Sequence, residues 1–134
     1  MTHAFLNIVP LFLLLFGAGL EERVKGFHEE LRSKGIDSYS TRDNIRKYFL
    51  SEDDLSNFIV AFLQKMHEKG FKEHKITEWR VISSKNYDEE AVEEVIIKGK
   101  GLLFFTASFT FKEEWVKRDG EWYFLPPKVI TLGR

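Results

Sequence analysis

The segment Trp115–Phe124, with the sequence W-V-K-R-D-G-E-W-Y-F, decides the fold. An Asp-Gly pair between two runs of aromatic and β-branched residues is the strongest sequence signal for a two-residue hairpin turn, because both turn positions need a positive φ. Pro126 and Pro127 follow at once and end the second strand, since proline has no N–H to donate to a neighbouring strand. The segment therefore predicts an antiparallel hairpin late in the chain.

The residues upstream of this hairpin extend it into an antiparallel meander. Alternation of apolar and polar side chains with period two is typical of strands that are buried on one face. It predicts a strand at Thr77–Val81, a polar loop at Ser83–Glu90, a strand at Ala91–Lys98, a turn at Lys98–Gly101, a long strand at Leu102–Lys117 and a short edge strand at Val129–Leu132.

Apolar residues at helical spacing predict three helices before the strands. The first covers Leu20–Lys34 and ends at Gly35 in a left-handed conformation. The second is brief and has Thr41 as its N-cap. The third begins after Ser51, whose hydroxyl caps it, and ends at Gly70. Helices followed by strands predict an α+β domain in which the helices cover one face of a curved antiparallel sheet.

The composition excludes several classes of protein. With 134 residues, 43% of them hydrophobic and 15% aromatic, the chain is one globular domain and not a disordered segment. It has no cysteine, which excludes disulfides, thiolate metal sites and a cysteine nucleophile. Twenty basic and 21 acidic residues give a net charge of −1, which argues against the large basic surface that nucleic-acid binding needs. Thirteen lysines and 15 glutamates beside one glutamine predict a thermophilic source.

The first twenty residues carry none of the charged side chains. An apolar run at Ile8–Phe16 followed by Gly17, Ala18 and Gly19 predicts a signal peptide at 1–19 and a mature domain at 20–134, exported to the periplasm or cell envelope. The missing Lys or Arg before the run leaves two alternatives: an uncleaved anchor that contacts the membrane through residues 1–20, or a buried N-terminal helix. Sequencing the amino terminus of protein recovered from cells, together with a thermal melt of the chain truncated to begin at Leu20, distinguishes these hypotheses.

Helices that precede long antiparallel strands closing on a tryptophan hairpin resemble the nuclear transport factor 2-like superfamily. The likeness is greatest to its small exported bacterial members of unknown function. In that group the last hairpin has an aromatic residue, a short polar segment, Asp-Gly, one residue and Trp, which Trp115, Asp119, Gly120 and Trp122 match. The resemblance covers Leu20–Pro127 and implies a cone-shaped fold, although the extra strand pair that larger members have between their helices is missing here.

The resemblance also implies where chemistry is to be sought. Enzymatic members place Asp, His or Tyr in an apolar cavity, where burial tunes the pKa of an acid or a base. The candidates here are His28, one position beyond the apolar stripe of the first helix, and Tyr39 and Tyr48 at a cavity mouth. Each has a plainer alternative, namely a surface or half-buried histidine and two packing tyrosines.

No pattern in the sequence supports a metal site or a cofactor site. His67 and His74 lie seven residues apart with Gly70 between them, whereas two zinc ligands on one helical face lie four apart. The pairs Glu93-Glu94 and Glu113-Glu114 do not form carboxylate pairs, because neighbours on a strand point to opposite faces.

Two hypotheses about function follow. The first is a non-enzymatic module that binds a partner or a small apolar ligand, or forms a homodimer through the open face of the sheet. It rests on a third strand with Phe105, Ala107 and Phe109 on its inner face and Phe104 among polar residues on the other. The alternative is a small isomerase, dehydratase or cyclase with an apolar pocket and a buried His or Asp as its base.

Overall fold

Three helices and four strands make up residues 19–127, the part of the chain that the computed structural model describes. The helices are α1 (Leu20–Ser33), α2 (Tyr39–Ile45), which continues into a 3₁₀ turn at Arg46–Tyr48, and α3 (Glu52–Glu68). The strands are β1 (Glu78–Tyr87), β2 (Glu90–Lys100), β3 (Thr106–Arg118) and β4 (Glu121–Leu125).

The four strands form one antiparallel sheet in the order β1-β2-β3-β4, so each strand pairs with its neighbours in sequence. Burial alternates along β2 and β3, which shows that one face of the sheet is covered while the other meets solvent. The helices provide the cover. The predicted α+β fold, with helices packed on a curved antiparallel sheet, is confirmed.

Phe27 of α1 lies at the centre of the core and is wholly buried. Its ring centroid lies 5.1–5.8 Å from those of five other aromatic side chains, which come from the 3₁₀ turn and its end, α3, β3 and β4: Tyr48, Phe49, Phe58, Trp115 and Phe124. Most of these contacts are edge-to-face, the arrangement that aromatic quadrupoles favour. One helix therefore joins every layer of the domain.

Several local predictions are confirmed. The Ser51 hydroxyl accepts a hydrogen bond from the backbone N–H of Asp54 at 3.1 Å and caps α3. Gly70 follows α3 with a φ of +78°. Asp119 and Gly120 have φ values of +52° and +80° and join β3 to β4 in the predicted turn.

Two helix boundaries are wrong in their details. The N-cap of α2 is Ser38, whose hydroxyl accepts from the backbone N–H of Thr41, and Thr41 itself is buried inside the helix. Gly35 is not left-handed. Its small size serves a close approach instead, because the N–H of Ile36 donates to the carbonyl of His74 at 2.7 Å and a Cβ on Gly35 would lie 3.3 Å from that oxygen.

The predicted polar loop at Ser83–Glu90 is wrong, because β1 continues to Tyr87 and the chain turns at Asp88 and Glu89. A bulge between Val81 and Ser83 shifts the register of β1 against β2. A bulge adds one residue and reverses which side chains point inward, so the period-two pattern breaks although the strand does not.

The predicted turn at Lys98–Gly101 is also wrong. Lys98, Gly99 and Lys100 pair with β3 as the last residues of β2, and the chain turns over the five residues that follow, Gly101–Phe105. The third strand consequently starts at Thr106, and Phe105 is exposed instead of pointing into the core.

Two predictions fall outside the described residues. The first 18 residues of the proposed leader and the edge strand at Val129–Leu132 lie beyond them, although Gly19 is described as the residue that precedes α1. Within residues 19–127, the structure contains no helix long and apolar enough to cross a membrane.

We expect Gly120→Val to lower the free energy of unfolding by about 1–3 kcal/mol, because a β-branched residue is strained at a positive φ. No other atom lies within 4 Å of a Cβ built on Gly120, so the cost is conformational and not steric crowding. Chemical denaturation measures it. Gly120→Asn is the control and should cost less, since asparagine tolerates this region. Equal stability of the valine variant and the parent would contradict the turn.

Candidate functional site

Two glutamates interrupt the apolar inner face of the sheet. Glu93 of β2 and Glu113 of β3 occupy inward positions and lie directly opposite each other in the strand register. Their exposed fractions are 4% and 1%. Carboxylates are rarely so buried without partners, so this pair marks a site with a specific environment.

His28 of α1 supplies the partner of one of these carboxylates. Its side chain is wholly buried, and its Nε2 lies 2.5 Å from Oε2 of Glu113. Its Nδ1 donates to the Val24 carbonyl at 2.7 Å. Because a carbonyl and a carboxylate are both acceptors, this arrangement fits an imidazolium with a proton on each nitrogen, one directed at the Val24 carbonyl and one at the Glu113 side chain.

Two tryptophans hold this ion pair in place. The Nε1–H of Trp115 donates to the second oxygen of Glu113 at 3.1 Å, so that carboxylate has a partner at each oxygen. Trp79 of β1 stacks on the His28 ring at 5.0 Å, and its own Nε1–H donates to Glu29 at 2.6 Å. Burial alone lowers the pKa of His28, but the charge and hydrogen bond of Glu113 and the Val24 carbonyl outweigh it, so the pKa of His28 is raised.

Glu93 has no such compensation. Its Oε2 is buried and accepts no hydrogen bond from any residue that the structure describes. Burial raises the pKa of Glu93, the negative charge of Glu113 raises it further, and the Ser84 hydroxyl and His28 act in the opposite direction without prevailing. His28 thus lies near two buried carboxylates but hydrogen-bonds only to that of Glu113, and Glu93 has no cationic partner of its own among the described residues.

A groove of about 900 Å³ opens beside Glu93, between the start of α1 and the inner face of β1. The bulge in β1 shapes it, because Trp79 and Val81 point inward before the bulge and Ser84 and Asn86 after it. Its lining is partly apolar and partly polar: Gly19, Leu20, Glu21, Glu22, Val24, Lys25, Trp79, Arg80, Val81, Ser84, Asn86 and Glu93.

The residues predicted from sequence lie in three different environments. His28 lies beside Glu113 but does not line the groove. Tyr48 is buried in the core with the Arg23 guanidinium 4.5 Å above its ring, and burial raises the pKa of its hydroxyl. Tyr39 is 87% exposed on α2. The structure therefore does not bring the two tyrosines together with His28 in one pocket.

Glu93 and Glu113 are the residues that sequence reasoning missed. Neither forms a carboxylate pair with its neighbour on its own strand, because those neighbours, Glu94 and Glu114, occupy outward positions. The two buried glutamates lie opposite each other on neighbouring strands, so their proximity can be predicted only if the register of β2 against β3 is known. A local signal existed in the stretches Ala91-x-Glu93-x-Val95 and Phe111-x-Glu113-x-Trp115, where a glutamate takes the inward position between apolar residues.

His67 and His74 are the two histidines whose spacing differs from that of a zinc motif. His74 Nδ1 pairs with Asp37 at 2.9 Å on the surface. Among residues 19–127, no three His, Cys, Asp or Glu side chains are grouped so that they could hold a metal ion.

No protein-family model and no curated protein matches the chain. Among solved structures, it is similar to a SEC-C motif containing protein from Rhodopseudomonas palustris, at 16% identity over 80% of this chain and 91% of that one, with a TM-score of 0.46. It is also similar to a protein from Campylobacter jejuni named as a candidate nuclear transport factor 2-like transpeptidase, at 12% identity over 81% of this chain and 100% of that one, with a TM-score of 0.49. At these scores neither likeness says anything about activity, and membership of the superfamily stays a prediction.

The raised pKa of His28 predicts how stability depends on pH. A group with a higher pKa in the folded state stabilises the fold fully below its unfolded pKa, near 6.5, and this contribution is lost as the pH rises through the folded pKa. Glu113→Gln removes the charge that keeps the proton on His28. We expect it to cost about 3 kcal/mol at pH 6 and to abolish this loss above pH 6.5.

Glu114→Gln is the matched control, because Glu114 is the exposed neighbour of Glu113 on the same strand. Urea denaturation from pH 6 to pH 9 compares the two variants with the parent. Identical pH profiles for the Glu113 and Glu114 variants would contradict the assignment of a charged buried pair.

Proposed function

We propose that this protein is a non-enzymatic, exported binding module whose groove holds a small amphiphilic molecule with an apolar body and a cationic or hydrogen-bond-donating head. The observation that carries this proposal is Glu93, which lines the groove and whose Oε2 is buried without a hydrogen-bond donor among the described residues. A buried carboxylate oxygen without a donor lowers stability, and a ligand ammonium or N–H group would supply what is missing.

The groove's remaining side chains support the same ligand chemistry. Leu20, Val24, Trp79 and Val81 offer apolar surface against which an alkyl or aryl group would pack. Three glutamates face two cations, Lys25 and Arg80, in the lining. The balance favours a ligand with a positive head over one with a negative head.

The engagement of His28 supports a binding role over a catalytic one. Both of its ring nitrogens are occupied, by Val24 and by Glu113, and the ring does not line the groove. A general base must reach the proton that it removes, either directly or through one water. The His28 imidazole, the candidate base of the enzymatic hypothesis, thus has a structural role, because its contact with Glu113 holds α1 against β3.

Export and self-association belong to this proposal as well. The support for export is the charge-free apolar start of the chain. Phe104 does not provide an apolar contact for a dimer on the open sheet face, because it lies in the connection before β3 and not on the outer face of that strand. The outward side chains of β3 are exposed and polar: Thr106, Ser108, Thr110, Lys112 and Glu114. The homodimer stays a prediction.

Binding of octylammonium and octanoate, two probes with the same alkyl chain and opposite head charge, tests the proposed ligand class. The indole N–H signal of Trp79, followed by NMR, reports occupancy of the groove. We expect octylammonium to bind and octanoate not to. Glu93→Gln should weaken octylammonium about tenfold, which corresponds to the loss of a charge-assisted hydrogen bond.

Glu94→Gln is the matched control, since Glu94 occupies the outward position next to Glu93. Glu93→Gln should also be at least as stable as the parent, because it removes an uncompensated buried carboxylate. Weaker binding by a variant of unreduced stability would identify Glu93 as a ligand-binding residue. Equal binding of both probes, or equal affinity in the Glu93 variant, would overturn the proposal.

A second candidate keeps the enzymatic alternative, with Glu93 in place of the predicted His or Asp base. The observation that favours it is a buried carboxyl group with a raised pKa that lines a groove, since carboxyl groups with raised pKa values act as general bases nearer neutral pH. Deuterium exchange into the α carbon of a bound ketone, lost in Glu93→Gln, would distinguish this candidate from a module that only binds.

A further inference from the structure

The connection between β2 and β3 exposes four consecutive apolar side chains. We call the segment Gly101–Phe105 the apolar tip. Leu102, Leu103, Phe104 and Phe105 have exposed fractions of 68%, 82%, 102% and 73%. Single exposed apolar residues are ordinary, but four together at the end of a hairpin form a patch that marks an interaction site.

The backbone of the apolar tip is ordered so that these side chains project outward. The N–H of Gly101 donates to the carbonyl of Phe105 at 2.9 Å, and the N–H of Phe105 donates to the carbonyl of Leu102 at 3.1 Å, which closes the loop on itself. Leu103 has a φ of +58°, a conformation that leucine rarely adopts. A glycine or asparagine would serve the turn better, so folding alone does not account for leucine here.

Two lysines line a cleft beside the apolar tip, and two more lie on the adjoining backbone. Lys72 and Lys100 line a small cleft of about 280 Å³ together with Leu103, Phe104 and Phe105. The N–H of Lys72 donates to the carbonyl of Lys100 at 2.7 Å, which ties the segment after α3 to the base of the tip. Two further lysines lie nearby in this region of the fold, Lys75 with its carbonyl close to Gly99 and Lys98 on β2. We call these four the lysine collar.

The opposite end of the sheet carries more acidic than basic residues. Asp88, Glu89 and Glu90 lie at the β1–β2 turn, and Asp119 and Glu121 lie at the β3–β4 turn beside Lys117 and Arg118. Acidic side chains also lie in the region of the lysine collar: Glu73, Glu78, which pairs with Lys98 at 3.7 Å, and Asp37, which pairs with His74 at 2.9 Å. The domain therefore has an apolar, basic end and an acidic end.

We propose that the apolar tip inserts into the interfacial region of an anionic lipid membrane, with the lysine collar on the lipid phosphates. Apolar side chains flanked by ammonium groups are the chemistry of interfacial membrane binding, in which the former enter the acyl boundary and the latter pair with headgroups. The acidic opposite end is repelled by such a surface, which orients the domain with its tip down.

This contact is separate from the groove. Glu93 and Lys100 lie seven residues apart on β2, about 23 Å along an extended strand. Either proposal can therefore fail without the other.

A single label tests the insertion, because the chain has no cysteine and a new one is unique. Phe104→Cys, labelled with nitrobenzoxadiazole in the full chain, is mixed with vesicles of phosphatidylcholine alone or with one third phosphatidylglycerol. We expect a blue shift of the label's emission and protection from an aqueous quencher on the anionic vesicles only. Tyr87→Cys, an exposed aromatic position at the acidic end, is the control and should stay in water.

The lysine collar is tested in the same labelled chain. Lys72→Gln with Lys100→Gln should weaken vesicle binding of the label at least about tenfold, as expected for two lysines near an anionic surface. Lys85→Gln with Lys112→Gln, which removes two exposed lysines elsewhere on the sheet, should leave it unchanged. The proposal is overturned if the label at position 104 stays in water on anionic vesicles. An equal shift on phosphatidylcholine overturns the role of the collar.

Discussion

The ion pair between His28 and Glu113 is the interaction on which the arrangement of this domain depends. It joins the middle of α1 to β3 inside an aromatic core, where each member is almost without solvent. Trp79 and Trp115, from the first and third strands, then fix the imidazole and the carboxylate in turn. With α1 fixed at this point, its first turn is left to form one wall of the groove against β1.

The same pair explains why Glu93 is unusual. A buried ion pair contributes little net stability, since the desolvation of both groups offsets their attraction. The second carboxylate beside it, Glu93, has no cation of its own. Burial raises its pKa, the charge of Glu113 raises it further, and its Oε2 has no donor among the described residues. Such a group persists at a cost to the fold, and costs of this kind concentrate at binding and catalytic sites. The proposed ligand is the missing cation.

Sequence patterns were sufficient for several features that a local rule decides. The Asp119-Gly120 turn, the Ser51 cap and the helix-then-strand order all follow from spacing and backbone chemistry, and all are present. The N-cap of α2 was misplaced by three residues, and the larger errors arose where tertiary context decides. The bulge after Val81 inverted the alternation of a strand, and the turn fell on the apolar residues after Gly101 instead of on the glycines before them. The placement of Glu93 opposite Glu113 could not be predicted, because it depends on the register between β2 and β3, and the two residues lie twenty positions apart in sequence.

The protonation state of His28 tests the central claim most directly. Nitrogen-15 and carbon-13 NMR of the imidazole, followed from pH 5 to pH 10, reports both the tautomer and the pKa of a histidine that no solvent reaches. The account predicts an imidazolium with protons on Nδ1 and Nε2 at neutral pH and a pKa above the ordinary 6.5, because Glu113 holds the charge in place. A neutral imidazole at pH 7, with a single protonated nitrogen, would contradict it and would leave both carboxylates without a cation.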